Sequence, residues 1–137
     1  MELDKDELIR ITNLKVTFQL DEGTVHALDG INLSIRKGRV VGVVGESGCG
    51  KSITARSILR IIPPPGKIDA GEILLRTRVG APNGGEHVID LAKIDPNSET
   101  LRQIRWGEIS MIFQEPMTSF SAYHTLGDQI SEAVLEH

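Results

Sequence analysis

The sequence predicts an α/β fold on three observations. The first 38 residues are short β-type runs separated by turn signals, the run Val40 to Val44 is apolar on both faces of a pleat, and the string GESGCGKS at 45–52 then leads into a helical pattern. A strand apolar on both faces belongs inside a covered, parallel sheet, whereas short runs with intervening turns belong to antiparallel pairing. The expected architecture is an antiparallel β region beside an α/β core, all within one domain.

Each element follows from local chemistry. Within 1–38, LIRITNLKVTF (8–18), TVHAL (24–28) and INLSI (31–35) read as strands, parted by Asp21-Glu22-Gly23, Asp29-Gly30 and Lys37-Gly38. Asp29-Gly30 accepts the positive φ of a tight turn, so a hairpin is expected there. Residues 39–66 hold the apolar strand and a helix from Gly50 to Ile62, with Ala55, Ile58, Leu59 and Ile62 on one face and Arg56 and Arg60 on another. Pro63-Pro64-Pro65-Gly66 ends that helix. Residues 67–113 read as strands at 71–79 and 86–91 joined by GAPNGG, a helix over 98–106 capped by Ser98, and a strand EISMIF at 108–113. An irregular stretch over 114–124 precedes a helix in 125–137, opened by Thr125 with Asp128 three residues on.

Composition removes several classes of function. Of 137 residues, 39% are hydrophobic and 25% charged, near the globular norm, so disorder is not expected. A formal net charge of -4 argues against a nucleic-acid surface, which needs a basic excess. The single cysteine, Cys49, allows no intrachain disulfide, and a reducing compartment is expected. The sequence carries no leader pattern and no apolar run as long as a membrane span, so membrane contact is expected only through a partner.

Gly45, Gly50, Lys51 and Ser52 satisfy the spacing G-x-x-x-x-G-K-[ST], between a buried-type strand and an amphipathic helix. Small residues let successive backbone N–H groups converge on a phosphate, and a helix start adds unpaired N–H groups and a positive dipole end. Lys51 is expected on the β- and γ-phosphates, and the Ser52 hydroxyl on a Mg²⁺ ion. The phosphate-binding residues are then Gly45, Glu46, Ser47, Gly48, Cys49, Gly50, Lys51, Ser52 and Ile53.

Three stretches carry a resemblance beyond the loop: LKVTF ending 27 residues before it, ALDGINLSIRKGRVVGVVGESGCGKS, and ISMIFQEPMTSF. Together they resemble the nucleotide-binding subunit of ATP-binding cassette (ABC) transporters, most closely the oligopeptide, dipeptide and nickel importer group of bacteria. The resemblance implies a P-loop NTPase of the ABC type, with an antiparallel β subdomain beside a RecA-like core and the start of a helical subdomain. It implies ATP and Mg²⁺ as ligands, with Phe18 stacking on the adenine, Lys51 and Gln114 in catalytic roles, and Ser52 and Gln114 on the metal. Membrane-spanning permease subunits and a second ATPase subunit are the implied partners. No nucleic acid is implied, and the location is the cytoplasmic face of the bacterial cell membrane.

Cys49 departs from the serine more common at its position, and a small residue pointing away from the phosphates is the simpler reading. Trp106 and Tyr123 are assigned no site. The sequence also lacks an LSGGQ-type signature, a Walker B strand ending in Asp-Glu and a switch histidine. HVIDL, the nearest imitation of Walker B, reads as a strand of the antiparallel region. The expectation is thus the N-terminal half of an ABC ATPase, a poor ATPase by itself, with Val40 to Val44 left without its neighbouring strands. Two other readings stand beside it: a nucleotide-binding module that never hydrolyses, and an ABC ATPase of DNA repair or chromosome maintenance.

Overall fold

A computed structural model describes residues 2–114 and 120–135. Its centre is a four-stranded antiparallel sheet in the order β2-β1-β3-β4, with β1 at Glu7–Leu20, β2 at Gly23–Arg36, β3 at Gly66–Thr77 and β4 at His87–Asp90. Three helices accompany it: α1 at Lys51–Ile58, α2 at Glu99–Gly107 and α3 at Leu126–Leu135. HVIDL is a strand of this antiparallel sheet, as its sequence suggests.

The core lies on one face of the sheet. Ile9, Ile11, Leu14 and Val16 of β1, Leu28 of β2 and Ile73 and Leu75 of β3 cluster there with Leu101 and Ile104 of α2. Leu101 and Ile104 are three residues apart, so both project from one side of α2 onto the sheet. The helix begins where its sequence predicts, with Ser98 Oγ accepting from Leu101 N at 3.3 Å. Helix α3 starts in the same way: Asp128 N donates to Thr125 Oγ1 at 3.1 Å, and that hydroxyl donates to Asp128 Oδ2 at 2.7 Å.

Asp29-Gly30 is not a turn. β2 runs through it without a break, and the hairpin closes instead at Asp21-Glu22-Gly23. The cause is a bulge in β1 at Asn13, which has φ 48 and shifts the register against both neighbours. Gly30 in β2 has φ 80 and would bring a Cβ within 3.2 Å of Asn13 Oδ1. Gly71 in β3 has φ 101 and would bring one within 2.6 Å of the Asn13 carbonyl oxygen. The positive φ predicted at Gly30 is real, but it accommodates a bulge on the adjoining strand.

Two other expected strands are also absent. Val40 to Val44 and the 108–113 stretch form no ladder with any described residue, and Val40 and Val44 are fully or almost fully exposed. A strand apolar on both faces requires hydrogen-bonded neighbours and cover on each side, and the described sheet offers neither. Helix α1 is shorter than expected, ending at Ile58 because Arg60 adopts φ 56 before the proline run is reached. β3 begins earlier than expected, at Gly66. Of the irregular stretch, residues 115–119 lie outside the described residues, as do residues 136–137 of the segment where a helix was expected over 125–137.

Charge fixes the chain start to this sheet. Buried Glu7 accepts from Ser34 Oγ at 2.7 Å and from Asp4 N at 3.0 Å, and it pairs with Arg10. Arg76 of β3 donates to the carbonyls of Leu3, Asp4 and Glu7. The hydrogen bonds from Arg10 and then Ser34 lower the Glu7 pKa from 4.5 to about 2. A carboxylate lowered in this way stabilises the fold fully above its unfolded pKa and loses that contribution as it protonates. Stability should therefore fall as pH drops from about 4.5 towards about 2. Glu7→Gln should lower stability at neutral pH and flatten that acid limb, as chemical denaturation across this range would show.

Candidate functional site

The glycine-lysine-serine loop stands at the N-terminus of α1. Gly48 and Gly50 take φ 81 and φ 95, the left-handed region that glycine enters without a Cβ penalty. Gly50 is held to this residue type by contact as well as by dihedral. A Cβ there would meet Leu28 Cδ2 at 2.6 Å and the Ala27 carbonyl oxygen at 3.0 Å. The loop thus rests on β2 through a glycine, and this close approach fixes where α1 begins.

No side chain caps α1, and no acidic residue occupies its first turn. The first N–H groups of a helix have no intrahelical partner, so this end presents donors and a positive dipole end without a competing carboxylate. Lys51 folds back over the loop. Its Nζ donates to the Gly45 and Glu46 carbonyls at 2.7 and 2.6 Å and lies 3.4 Å from Cys49 Sγ. A Cβ on Gly45 would fall 2.6 Å from Cys49 Sγ, so the thiol packs against the loop's first glycine.

Ser47, Gly48, Gly50, Lys51, Ser52 and Ile53 line a cavity of about 430 Å³, and Gln114 lines it from a segment more than 60 positions further along the chain. The expected loop residues divide by role. Those six face the cavity, while Gly45, Glu46 and Cys49 form the part that holds the lysine. Gln114 joins them although residues 109–113 form no strand. Phe18 does not line the cavity. It is half-buried in β1, opposite Val25 and Gly66 in the ladder, and a Cβ on Gly66 would touch its ring at 2.6 Å.

Asp90, the acid of the Walker B imitation, lies elsewhere. Its Oδ1 accepts from Ile73 N and Ala92 N at 3.0 Å each, tying β4 to β3, and Lys93 Nζ stands 2.8 Å from its Oδ2. A buried carboxylate occupied by backbone amides in this way is a structural fastening.

Ala27 is the lining residue that the sequence reading missed. Its signal was weak: a small side chain in a run otherwise rich in larger strand formers.

The donor set fits a phosphate chain with a divalent metal. It offers an uncapped helix start, the Lys51 ammonium, the hydroxyls of Ser47 and Ser52 and the Gln114 amide around a cavity. Among the described residues, no group of three or more His, Cys, Asp or Glu side chains is placed to hold a metal ion alone. A metal here would therefore depend on Ser52, Gln114 and the phosphates themselves.

The two αL glycines should respond differently to alanine. Gly48→Ala meets nothing within 4 Å and bears only the backbone cost, about 1–2 kcal/mol. Gly50→Ala bears that cost and the clash with β2. Its thermal midpoint should fall clearly below that of Gly48→Ala, and equal midpoints would show that the β2 contact does not constrain the loop.

Comparison with known proteins agrees with this geometry. The model of the ABC transporter family matches residues 28–135. A "probable peptide ABC transporter ATP-binding protein" of Sinorhizobium fredii is 40% identical over 133 residues, which is 96% of this chain and 36% of the relative. A dipeptide transport ATP-binding protein of Bacillus subtilis is 38% identical over 133 residues, with the same two coverages. A glutathione import ATP-binding protein of Salmonella typhimurium is 36% identical over 137 residues, or 99% of this chain and 21% of that protein. The chain thus spans about a third or less of the length of these relatives. With the family model covering most of its length, including the glycine-lysine-serine loop, the chain belongs to the ABC transporter family.

Proposed function

We propose that the protein is an ATP-binding subunit that powers an ABC importer for peptide-like solutes. The carrying observation is that the glycine loop and Gln114, far apart in sequence, line one cavity. Peptide, dipeptide and glutathione appear in the names of the relatives, and all three are compounds with peptide bonds.

Each residue has a proposed task. The N–H groups of the loop and of the α1 start bind phosphate oxygens, and Lys51 exchanges its two carbonyl partners for the outer phosphates. Ser52 contributes a hydroxyl to Mg²⁺, and Gln114 orients the metal and the attacking water. Mg²⁺, held by Ser52 and Gln114, would supply charge neutralisation for the phosphates. Phe18, half-buried in β1, is the proposed adenine partner. Hydrolysis, permease subunits and a second ATPase subunit are assigned to the whole protein, working at the cytoplasmic face of the membrane. No helix among the described residues is long and apolar enough to cross a membrane, so contact with the bilayer is proposed to run through the permease.

Calorimetric titration with ATP tests the loop. Lys51→Ala should lose a charge-assisted contact of about 1.5–3 kcal/mol, which is roughly a tenfold to 150-fold rise in Kd. Ser52→Ala should keep metal-free binding and lose the gain that Mg²⁺ brings. Unchanged Kd values in both variants would overturn the reading.

A chemical probe gives a second prediction. Cys49 is exposed and borders the phosphate loop, so bound MgATP should slow its alkylation by a maleimide. Equal labelling rates with and without nucleotide would remove the thiol from the site.

A further inference from the structure

Gln114 reaches the cavity from an extended segment that forms no ladder, so side chains must hold it there. Two contacts do so. At the segment's start, Ile109 packs on the core and its N–H donates to the Ile104 carbonyl at 3.0 Å. At its end, the Arg56 guanidinium lies 5.7 Å from the centre of the Phe113 ring. That distance is within the range at which a cation is attracted to an aromatic face.

Arg56 is committed to this contact. Its Nε is buried without a hydrogen-bond partner among the described residues. No described carboxylate forms an ion pair with it. It follows Ser52 by four residues on α1, so the two stand one turn apart on the same helix face. Phe113 immediately precedes Gln114. One helix face therefore carries both the hydroxyl that borders the cavity and the cation that grips the residue next to Gln114.

We infer that Arg56 is a positioning residue: through Phe113 it holds Gln114 against the cavity that Ser52 also lines, so the contribution of metal to nucleotide binding depends on a contact one turn away from the loop. This inference rests on the proposed metal role of Ser52 and Gln114. Loss of the contact would leave the loop and its lysine intact. Metal-free binding should persist while the advantage given by Mg²⁺ shrinks.

The test is a double-mutant cycle in the full-length protein, with a fluorescent ATP analogue as probe. The measured quantity is the ratio of Kd in EDTA to Kd in Mg²⁺. Arg56→Gln should lower that ratio roughly threefold to tenfold, the scale of one partly buried cation–π contact. Arg56→Lys, which keeps the cation, should restore most of it. In a Gln114→Ala background, Arg56→Gln should produce no further fall, because it acts through that amide.

An unchanged ratio in Arg56→Gln, or an equal fall in both backgrounds, would overturn the inference while leaving the metal reading in place. An unchanged ratio in Gln114→Ala alone would overturn both. Should Arg56→Gln fail to fold, Phe113→Leu removes the aromatic face while retaining apolar volume, and it must give the same lowered ratio for the inference to stand.

Discussion

The site depends on how closely Gly50 lies to β2. A backbone that must pass within van der Waals distance of Ala27 and Leu28 has room for no side chain, so the loop, the start of α1 and the direction of its dipole are set by the sheet beneath. The far end of α1 is fixed as well. Arg105 of α2 donates to the carbonyls of Leu59 and Arg60 at 2.8 and 2.9 Å, taking up acceptors that a helix end leaves without partners. Leu101 and Ile104 seat α2 on the same core as the sheet. The helix that follows the glycine loop is thus held at both ends by the antiparallel unit.

That arrangement explains why the loop keeps its geometry although the apolar run before it has no strand partner among the described residues. Val40 and Val44 are exposed, yet the residues that follow are positioned from β2 and α2. Support comes from side-chain and backbone contacts downstream of the run. The Gln114 segment is supported similarly, by Ile109 and Phe113 at its two ends. Helix α3 differs: Leu126, Ile130 and Val134, spaced at four-residue intervals, are all largely exposed, so its capping box and not a packed face defines it here.

What was legible in the sequence was mostly local. The caps at Ser98 and Thr125 involve groups three residues apart and need no knowledge of the rest of the chain. The loop before α1 was equally readable as a backbone feature, since its glycines and the helix start that follows lie within eight positions. The misreadings were non-local. Gly30 signalled a positive φ, but the reason lay on β1 at Asn13, so the turn expected there was a bulge. Val40 to Val44 was expected without its neighbouring strands and forms no ladder with any described residue, whereas the β character of EISMIF was a matter of composition and a strand exists only with a partner. Phe18 shows the same limit. Its aromatic type at a strand end suggested stacking on a base, and its place in the ladder opposite Gly66 adds a packing contact whose partner lies 48 positions away in the sequence.

The bulge at Asn13 also acts as a key for alignment. A strand that slips by one residue exchanges its inward and outward faces, and long hairpins with two 14-residue strands offer many such errors. Here the Asn13 carbonyl is accommodated opposite Gly71, which has no Cβ, while on the other side the Asn13 side-chain oxygen lies close to Gly30. Any other alignment would drive the bulge into a side chain on at least one neighbour. Three residues from three different strands therefore select a single register, and through β2 that register determines which residues lie beneath Gly50.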